Sequence, residues 1–276
     1  MKRMFTLCMI LCTTLAGFAQ TDSTANQERP DTIRIGGMII IRENGKNKRI
    51  EKDPTVKNRS YYKEKRSNLS TNWSILDIGF SNYEDKSDYV HAASIGMVAP
   101  NIGKEEMKLK TGKSRNINIW FFMQRLNLIK HVVNLKYGLG LELNNYFFEH
   151  ENIVFEENPT FISTGAEDFG KVKLAADYIT VPMMLSFNFT PDRKNGFGFS
   201  VGASAGYLYS ARYKTKTDGD IEKVKNNFNL EDFKLSWIGE LLLGPVRLYG
   251  SYAMENMWEQ GLNMRPYNLG IRISSW

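Results

Sequence analysis

The longest regular pattern in the sequence is an alternation of apolar and polar side chains over residues 132–148. One parity carries Val133, Leu135, Tyr137, Leu139, Leu141, Leu143 and Phe147, and the other carries Asn134, Lys136, Gly138, Gly140, Glu142 and Asn144. A period of two places these sets on opposite faces of a β-strand. The segment is longer than most strands of soluble domains, and a tilted strand of about ten residues crosses a bilayer. The pattern therefore predicts a strand that crosses a membrane.

The same alternation recurs along the C-terminal three quarters of the chain. Further segments with it are residues 178–189, 197–213, 235–243, 246–254 and 267–274, and weaker examples are residues 73–82 and 115–127. Together they give about eight strands, an even number, which is typical of single-chain bacterial membrane barrels.

The connections between these segments alternate in length. Short ones follow the second, fourth and sixth strands at residues 128–131, 190–195 and 244–245; long ones lie at 83–114, 149–171, 214–234 and 255–265. Short periplasmic turns and long external loops are typical of outer-membrane barrels. The sequence therefore predicts an all-β fold, a transmembrane antiparallel up-and-down β-barrel over residues 73–276 with both chain ends in the periplasm.

A soluble barrel is the alternative, and the contents of the two faces argue against it. One face carries Leu, Ile, Val, Met and aromatic residues, whereas the other carries Gly, Ser and Asn with a few charges, which suits a narrow lumen filled by side chains. Aromatic residues near strand ends fit two interfacial girdles; one is Phe147, Trp237 and Tyr267, and the other is Phe187, Phe189 and Phe197.

The N-terminus predicts export. Met1-Lys2-Arg3 precedes an apolar stretch, and Ala16-Gly17-Phe18-Ala19 provides small residues for cleavage after Ala19, so residues 1–19 are interpreted as a signal peptide. Both cysteines, Cys8 and Cys12, lie within it. An uncleaved N-terminal anchor is the alternative.

Residues 20–72 are expected to form a short periplasmic segment. Residues 32–35 and 38–42 flank Gly36-Gly37 and resemble a small β-hairpin, and residues 46–66 are rich in Lys and Arg and read as a linker. This basic run is interpreted as a solvated tether, with contact to lipid phosphates or another envelope component as the alternative.

Six charged residues fall on the polar parity and are expected to face the lumen: Asp77, Lys136, Glu142, Glu240, Arg247 and Arg272. Closure of the barrel brings the first strand beside the last, so Asp77 and Arg272 are expected to meet. A two-residue turn at Gly244-Pro245 pairs Leu242 with Arg247 and sets Glu240 diagonal to that arginine. We interpret the charges as a structural ion-pair network; a gated or proton-conducting lumen is the alternative.

No residue pattern predicts a catalytic, cofactor or metal site. His91, His131 and His150 lack metal-ligand spacing. His150 with Glu149 and Glu151 forms the one cluster near an external rim that a lipid-modifying enzyme would use, but no serine elbow accompanies it. The net charge of +6 comes without a clustered basic and aromatic pattern, so nucleic acid is not expected as a partner.

Four segments carry a family resemblance. Residues 118–128, 134–142, 179–185 and 202–208 resemble the PorT-like, OmpX-sized outer-membrane β-barrel family. The resemblance implies an eight-stranded outer-membrane barrel. It transfers no activity, because most members are uncharacterised and a few serve secretion or envelope assembly. It also implies that Trp276 is the C-terminal signal for the barrel-assembly machinery. The parity of Trp276 is opposite to that of Ile271 and Ile273, which predicts either a bulge near Ser274-Ser275 or a position beyond the ladder.

The function expected from the sequence is a non-enzymatic barrel that displays external loops for binding or serves as an envelope accessory. A narrow porin-like pore is the runner-up, and a lipid-modifying enzyme is third. The expected partners are outer-membrane lipid, the barrel-assembly machinery and an unidentified protein or envelope component, with no cofactor.

Overall fold

A computed structural model of the chain describes residues 67–157, 159–193 and 196–274, together with the backbone of three short strands between residues 31 and 49. The chain divides into two compact units, Met1–Glu64 and Lys65–Trp276. The expected signal peptide and most of the expected linker lie outside the described residues.

The N-terminal unit contains a three-stranded antiparallel sheet in the order β1-β2-β3. Its strands are β1 (Asp31–Ile35), β2 (Met38–Glu43) and β3 (Lys46–Arg49). β1 pairs with β2 across the Gly36-Gly37 connection, as the hairpin pattern predicts. The expected linker began at Lys46, whereas the structure has a third strand there that pairs with β2.

The second unit is an eight-stranded barrel. Its strands are β4 (Leu69–Asp85), β5 (Arg115–Ile129), β6 (Val133–Phe147), β9 (Lys171–Asn188), β10 (Phe197–Thr217), β12 (Phe233–Leu243), β13 (Val246–Ala253) and β14 (Met264–Ile273). The long connections contain helix α1 (Tyr89–Ser94), the hairpin β7 (Ile153–Glu156) and β8 (Phe161–Thr164), and strand β11 (Asp220–Lys225). Among the described residues, no helix has both the length and the apolar character that a membrane crossing needs.

The barrel is closed because each of its eight strands pairs with another barrel strand on both sides. β9 pairs with both β6 and β10, and β14 pairs with β4 to form the seam between the last and first strands. Closure leaves no strand of the barrel with a free hydrogen-bonding edge, which a lipid environment requires. The predicted all-β, antiparallel, eight-stranded fold is confirmed.

The two parities of the strands face opposite sides of the wall. Large apolar residues such as Ile119, Val181, Met183, Leu241 and Leu269 are exposed on the outside. Small and polar residues fill the inside, among them Asn116, Asn118, Asn144, Thr180, Ser186, Ser200, Ser204, Ser236 and Asn268, all of which are buried. This is the arrangement of a sheet whose outer surface contacts hydrocarbon.

Aromatic residues mark both rims of the outer surface. Trp237, Tyr252 and Tyr267 lie side by side across β12, β13 and β14 near the end that carries the long loops, which we call the loop end. At the opposite end, the turn end, Trp73 packs on Phe122 with ring centroids 6.0 Å apart, and Phe187 stacks on Phe199 at 4.9 Å. Such girdles occupy the two membrane interfaces of a barrel.

β9 and β10 extend further beyond the outer girdle than the alternation predicted. β9 begins at Lys171 instead of residue 178, and β10 continues to Thr217. The β9–β10 register shifts between Leu208 and Ser210, so Tyr209 is an extra residue in β10. This bulge exchanges the faces of the strand above it. The alternation over residues 197–213 puts Tyr213 on the same parity as Phe199 and Val201 and therefore predicts that it faces outward. That prediction is wrong, since Tyr213 is buried inside.

Candidate functional site

The seam of the barrel is joined inside the lumen by Asp77 of β4 and Arg272 of β14. Nε and one terminal nitrogen of Arg272 donate to the two oxygens of Asp77 at 2.7 and 2.8 Å. Oδ2 of Asp77 also accepts hydrogen bonds from Trp120 Nε1 at 2.7 Å and from Asn118 Nδ2 at 3.2 Å. The carboxylate is fully buried. Its charge is therefore balanced by a bidentate arginine and two neutral donors, the arrangement that a buried carboxylate needs.

Glu240 of β12 extends this cluster across the lumen. Its Oε2 accepts from Lys136 Nζ at 2.7 Å and from the Ser200 hydroxyl at 3.3 Å, and lies 3.5 Å from Arg272. The structure thus brings Asp77, Arg272, Glu240 and Lys136 together in one network that we call the seam cluster.

Arg247 lies beside the seam cluster but does not bind Glu240. Leu242 and Arg247 are paired residues across Gly244-Pro245, as the expected two-residue turn requires. Arg247 is buried and donates to the Ser274 hydroxyl, while the acceptor oxygen of Glu240 is taken by Lys136. The diagonal contact expected between Glu240 and Arg247 is therefore replaced by the bond from Arg247 to Ser274 and the bond from Lys136 to Glu240.

A second polar cluster surrounds Glu142 nearer the loop end. Glu142 Oε1 binds Lys234 and accepts from Asn144 and Asn268, both at 3.1 Å. The ammonium of Lys234 also lies 4.4 Å from the centroid of the Tyr178 ring. Lys234 was missed as a lumen residue because the sequence pattern assigned it to a long loop. Lys234 has the same parity as Ser236 and Glu240, and extending the alternation of this strand toward the N-terminus would have placed Lys234 in the lumen.

The two clusters leave little open space at the middle of the lumen. The cavity between them, bordered by Trp120, Glu142 and Arg272, has a volume of about 30 Å³. That is room for about two water molecules, since one needs roughly 10–15 Å³ of such space. A wider recess of about 340 Å³ opens at the turn end beside Arg125, Lys136 and Arg247. The lumen is therefore a packed polar core with a vestibule, which is the expected state of an eight-stranded barrel.

At the loop end, the four long connections pack against one another. We call this assembly the cap, and it comprises the described parts of residues 86–114, 148–170, 218–232 and 254–263. Isolated bridges join Val98 to Ile162, Leu109 to Phe148, and Leu230 to Trp258. These bridges connect the loops to one another or to the barrel rim, so the cap is a folded layer.

The centre of the cap is an aromatic cluster around Phe155. Its ring centroid lies 5.4 Å from that of Phe148, 5.3 Å from Tyr213, 6.2 Å from Phe228 and 6.2 Å from Trp258. All five residues are buried. Aromatic side chains bury large apolar areas, so this cluster contributes strongly to the stability of the cap.

Helix α1 and the residue that follows it present apolar side chains to solvent, as does Ile221 of β11. Asp88 caps the helix by accepting from the backbone nitrogen of His91 at 3.1 Å. Tyr89 donates to Asp85 Oδ2 at 2.6 Å, and burial together with this bond raises the pKa of Tyr89 above its usual value. Val90 and Ile95 project outward, and Val90 is 83% exposed.

The two carboxylates beside His150, which an enzyme site would need, are each paired with a lysine. Glu149 lies 3.4 Å from Lys108, and Glu151 binds Lys110. Among the residues that the structure describes, no group of three or more His, Cys, Asp or Glu side chains is placed to hold a metal ion. Trp276, the expected assembly signal, lies outside the described residues, so its role stays a prediction.

Comparison with known proteins agrees with the barrel geometry. No curated protein matches the sequence. The family described as "Outer membrane protein beta-barrel domain" matches residues 91–252, which is more than half of the chain and runs from α1 to β13. The finer PorT-like assignment stays a prediction. The chain therefore belongs to the family of outer membrane protein β-barrel domains.

Proposed function

We propose that this outer-membrane barrel is a non-enzymatic scaffold that presents the cap to a protein or other envelope partner outside the cell. The observation that carries the proposal is the shared core of the cap, which all four long connections build around Phe155. Loops that share a core have a defined surface, and binding sites are commonly loops held by a rigid scaffold.

The orientation of the cap follows from the connection lengths. Long loops of bacterial barrels are external and short turns are periplasmic, so the cap is on the outside. Val90 and Ile95 then each present an exposed apolar side chain to the external medium. Exposed apolar groups that an otherwise well-packed layer leaves uncovered are typical of interaction sites.

Photocrosslinking in intact cells tests the proposal. A photoreactive residue at Val90 is expected to capture one discrete partner, whereas the same residue at Val201, on the lipid-facing wall, is expected to capture none. Both positions are exposed in the isolated protein, so a probe at either one can reach a neighbouring molecule. If Val90 and Ile95 both give no crosslinked product while the protein is folded, the presentation role is wrong.

The two polar clusters favour a barrel that does not conduct ions and argue against a pore. Each buried charge has a partner of opposite sign or a hydrogen-bonding group in the lumen, and the central gap is about 30 Å³. In planar bilayers the purified protein is expected to give no stepwise conductance. Reproducible single-channel steps from folded protein would favour the pore instead.

The absence of catalysis is part of the proposal and has its own test. His150→Ala is expected to leave the lipid composition of the outer membrane unchanged, because both neighbouring carboxylates are bound by lysines. A change in lipid turnover in this variant would favour the enzyme alternative.

A further inference from the structure

The outer face of the barrel wall carries a basic surface on the loop-end side of the lipid-facing residues. Seven cationic residues of β9, β10 and β11 form it, and we call it the basic face: Lys171, Lys173, Arg212, Lys214, Lys216, Lys223 and Lys225. Lys173 is directly opposite Lys214, and Lys214 is directly opposite Lys223. Three lysines thus lie side by side across three strands, flanked by the pairs Lys171–Lys216 and Arg212–Lys225.

The basic face continues the surface that contacts hydrocarbon. On β9, Lys171 and Lys173 share the parity of Ile179, Val181 and Met183, which are exposed on the outer wall. On β10 the bulge at Tyr209 turns Arg212, Lys214 and Lys216 to this same side. A ligand bound to the cations is therefore directly above lipid that touches the wall.

The cationic side chains on this face repel one another and outnumber the acidic side chains that could neutralise them. Directly opposed like charges destabilise a sheet. Among the described residues that the register places on the face, Asp177 is the acidic one, and it is bound to Arg212. Partial loss of solvent and repulsion by Lys225, Arg212 and Lys214 lower the pKa of Lys223. A multiply charged anion would relieve this repulsion.

The face has a shaped recess for such an anion. A concavity of about 230 Å³ is lined by Phe147, Lys171, Lys173, Lys214, Thr215, Lys216 and Ile221. The ammonium groups of Lys171 and Lys173 lie 5.6 and 5.4 Å from the centroid of the Phe147 ring. Lys173 also donates to Asn145 Oδ1 at 2.8 Å. The aromatic ring and the amide hold the two ammonium groups at the edge of the recess.

The height of the recess distinguishes between classes of lipid. Ile179 is the last exposed apolar residue on the outer face of β9 toward the loop end and serves as the reference for the edge of the hydrocarbon. Lys173 is six residues further along the strand, which at about 3.3 Å per residue and a tilt of about 40° is roughly 15 Å along the barrel axis. A phospholipid head group extends about 5–8 Å beyond the hydrocarbon. A phosphorylated sugar chain attached to lipid reaches the height of the recess.

We propose that the basic face binds the phosphorylated sugars of an outer-leaflet glycolipid whose acyl chains lie against Ile179, Val181 and Met183. The lysines contact the phosphates, and the recess over Phe147 accommodates a sugar ring. This binding does not depend on the role proposed for Val90 and Ile95 of the cap, since its cations lie on the outer face of β9, β10 and β11.

Titration of the purified full-length protein in lipid nanodiscs tests the proposal, with lipopolysaccharide, dephosphorylated lipopolysaccharide, phosphatidylglycerol and the released phosphorylated oligosaccharide as probes. Intact lipopolysaccharide is expected to bind most tightly. The triple variant Lys173→Gln/Lys214→Gln/Lys223→Gln is expected to weaken it about tenfold or more, since each lysine near an anionic surface adds to the affinity. Lys86→Gln/Lys104→Gln/Lys113→Gln removes three exposed lysines from the cap and is the matched control, expected to bind normally.

Several outcomes would overturn the proposal. They are equal affinity of the basic-face variant and the wild type, equal affinity for dephosphorylated lipopolysaccharide, and equal or tighter binding of phosphatidylglycerol. Binding of the released oligosaccharide as tightly as the intact glycolipid would show that the acyl chains play no part. Should the triple variant fail to show the heat-dependent mobility of a folded barrel, Lys223→Gln alone, in a hairpin outside the barrel, decides the question by the same titration.

Discussion

Asp77 and Arg272 are directly opposed residues on the first and last barrel strands, and their side chains form a bidentate ion pair inside the lumen. Two residues further along both strands, Gly79 opposes Gly270, and the ring of Tyr249 packs over this glycine pair. The seam is therefore fixed in register by a charge pair at one level and by close backbone approach at the next.

The seam ion pair gives the first prediction. Arg272→Met leaves Asp77 buried without its cation, so we expect the free energy of unfolding to fall by about 3 kcal/mol. Urea unfolding in vesicles, followed by the folded band on a semi-native gel, measures it. In the double variant Asp77→Leu/Arg272→Met no charge is left unpaired at this position, so part of the loss is expected to be recovered. A double variant no more stable than the single one would argue against this account.

The glycine pair gives the second prediction. A Cβ at position 270 would overlap the carbonyl oxygen of Ile78 and the Cα of Gly79, so Gly270→Ala is expected to destabilise the barrel by about 1–3 kcal/mol. Gly239 on β12 is the control, because the nearest atom to a Cβ there is the Ser200 carbonyl oxygen at 3.8 Å. Gly239→Ala is expected to have little effect in the same unfolding assay, and equal losses in the two variants would contradict the close approach at the seam.

Tyr89 gives a prediction about pH. Its pKa is raised in the folded cap by burial and by its bond to Asp85, so the folded state keeps the proton that the unfolded chain releases near pH 10. The contribution of Tyr89 to stability is therefore complete below pH 10 and is lost as the pH rises above that value. Subtilisin cleavage within residues 86–114 should accelerate between pH 9 and pH 11, after correction for the activity of the protease. Tyr89→Phe has no proton to lose and should accelerate less.

The tryptophans predict how the barrel sits in lipid. Trp237 is 62% exposed on the outer girdle, whereas Trp120 is 5% exposed inside the lumen. Brominated lipids quench fluorescence on contact, so Trp237→Phe is expected to reduce the quenchable fraction and Trp120→Phe to increase it. The opposite ordering would mean that the apolar parity does not face hydrocarbon.

Much of the barrel was predictable because period-two alternation reports directly on which side of a sheet a residue faces. The same parity that placed Leu135 outside placed Lys136 inside, and the pairing of Leu242 with Arg247 followed from the length of the Gly244-Pro245 turn. The meeting of Asp77 with Arg272 needed one further assumption, that the sheet closes.

The rest was not predictable for identifiable physical reasons. Apolar residues occupy the odd positions on both sides of Tyr209, so no break in the pattern marks the bulge, and Tyr213 was assigned to the wrong face. Lys234 was read as a loop residue because a charged residue at a strand end looks solvated. The cap has no periodic signal, since its core joins Phe155, Phe228 and Trp258 from three different connections.

Because of the extra residue Tyr209, the even-numbered residues of β10 face inward before the bulge and the odd-numbered residues face inward after it. Deleting the codon for Tyr209 would turn the later side chains of β10 to the other side of the wall, so that Arg212 and Lys214 would enter the interior of the cap while Tyr213 would turn to water. A single genetic event at this position can therefore create or abolish a charged exterior and an aromatic interior together, without altering any of the residues that compose them.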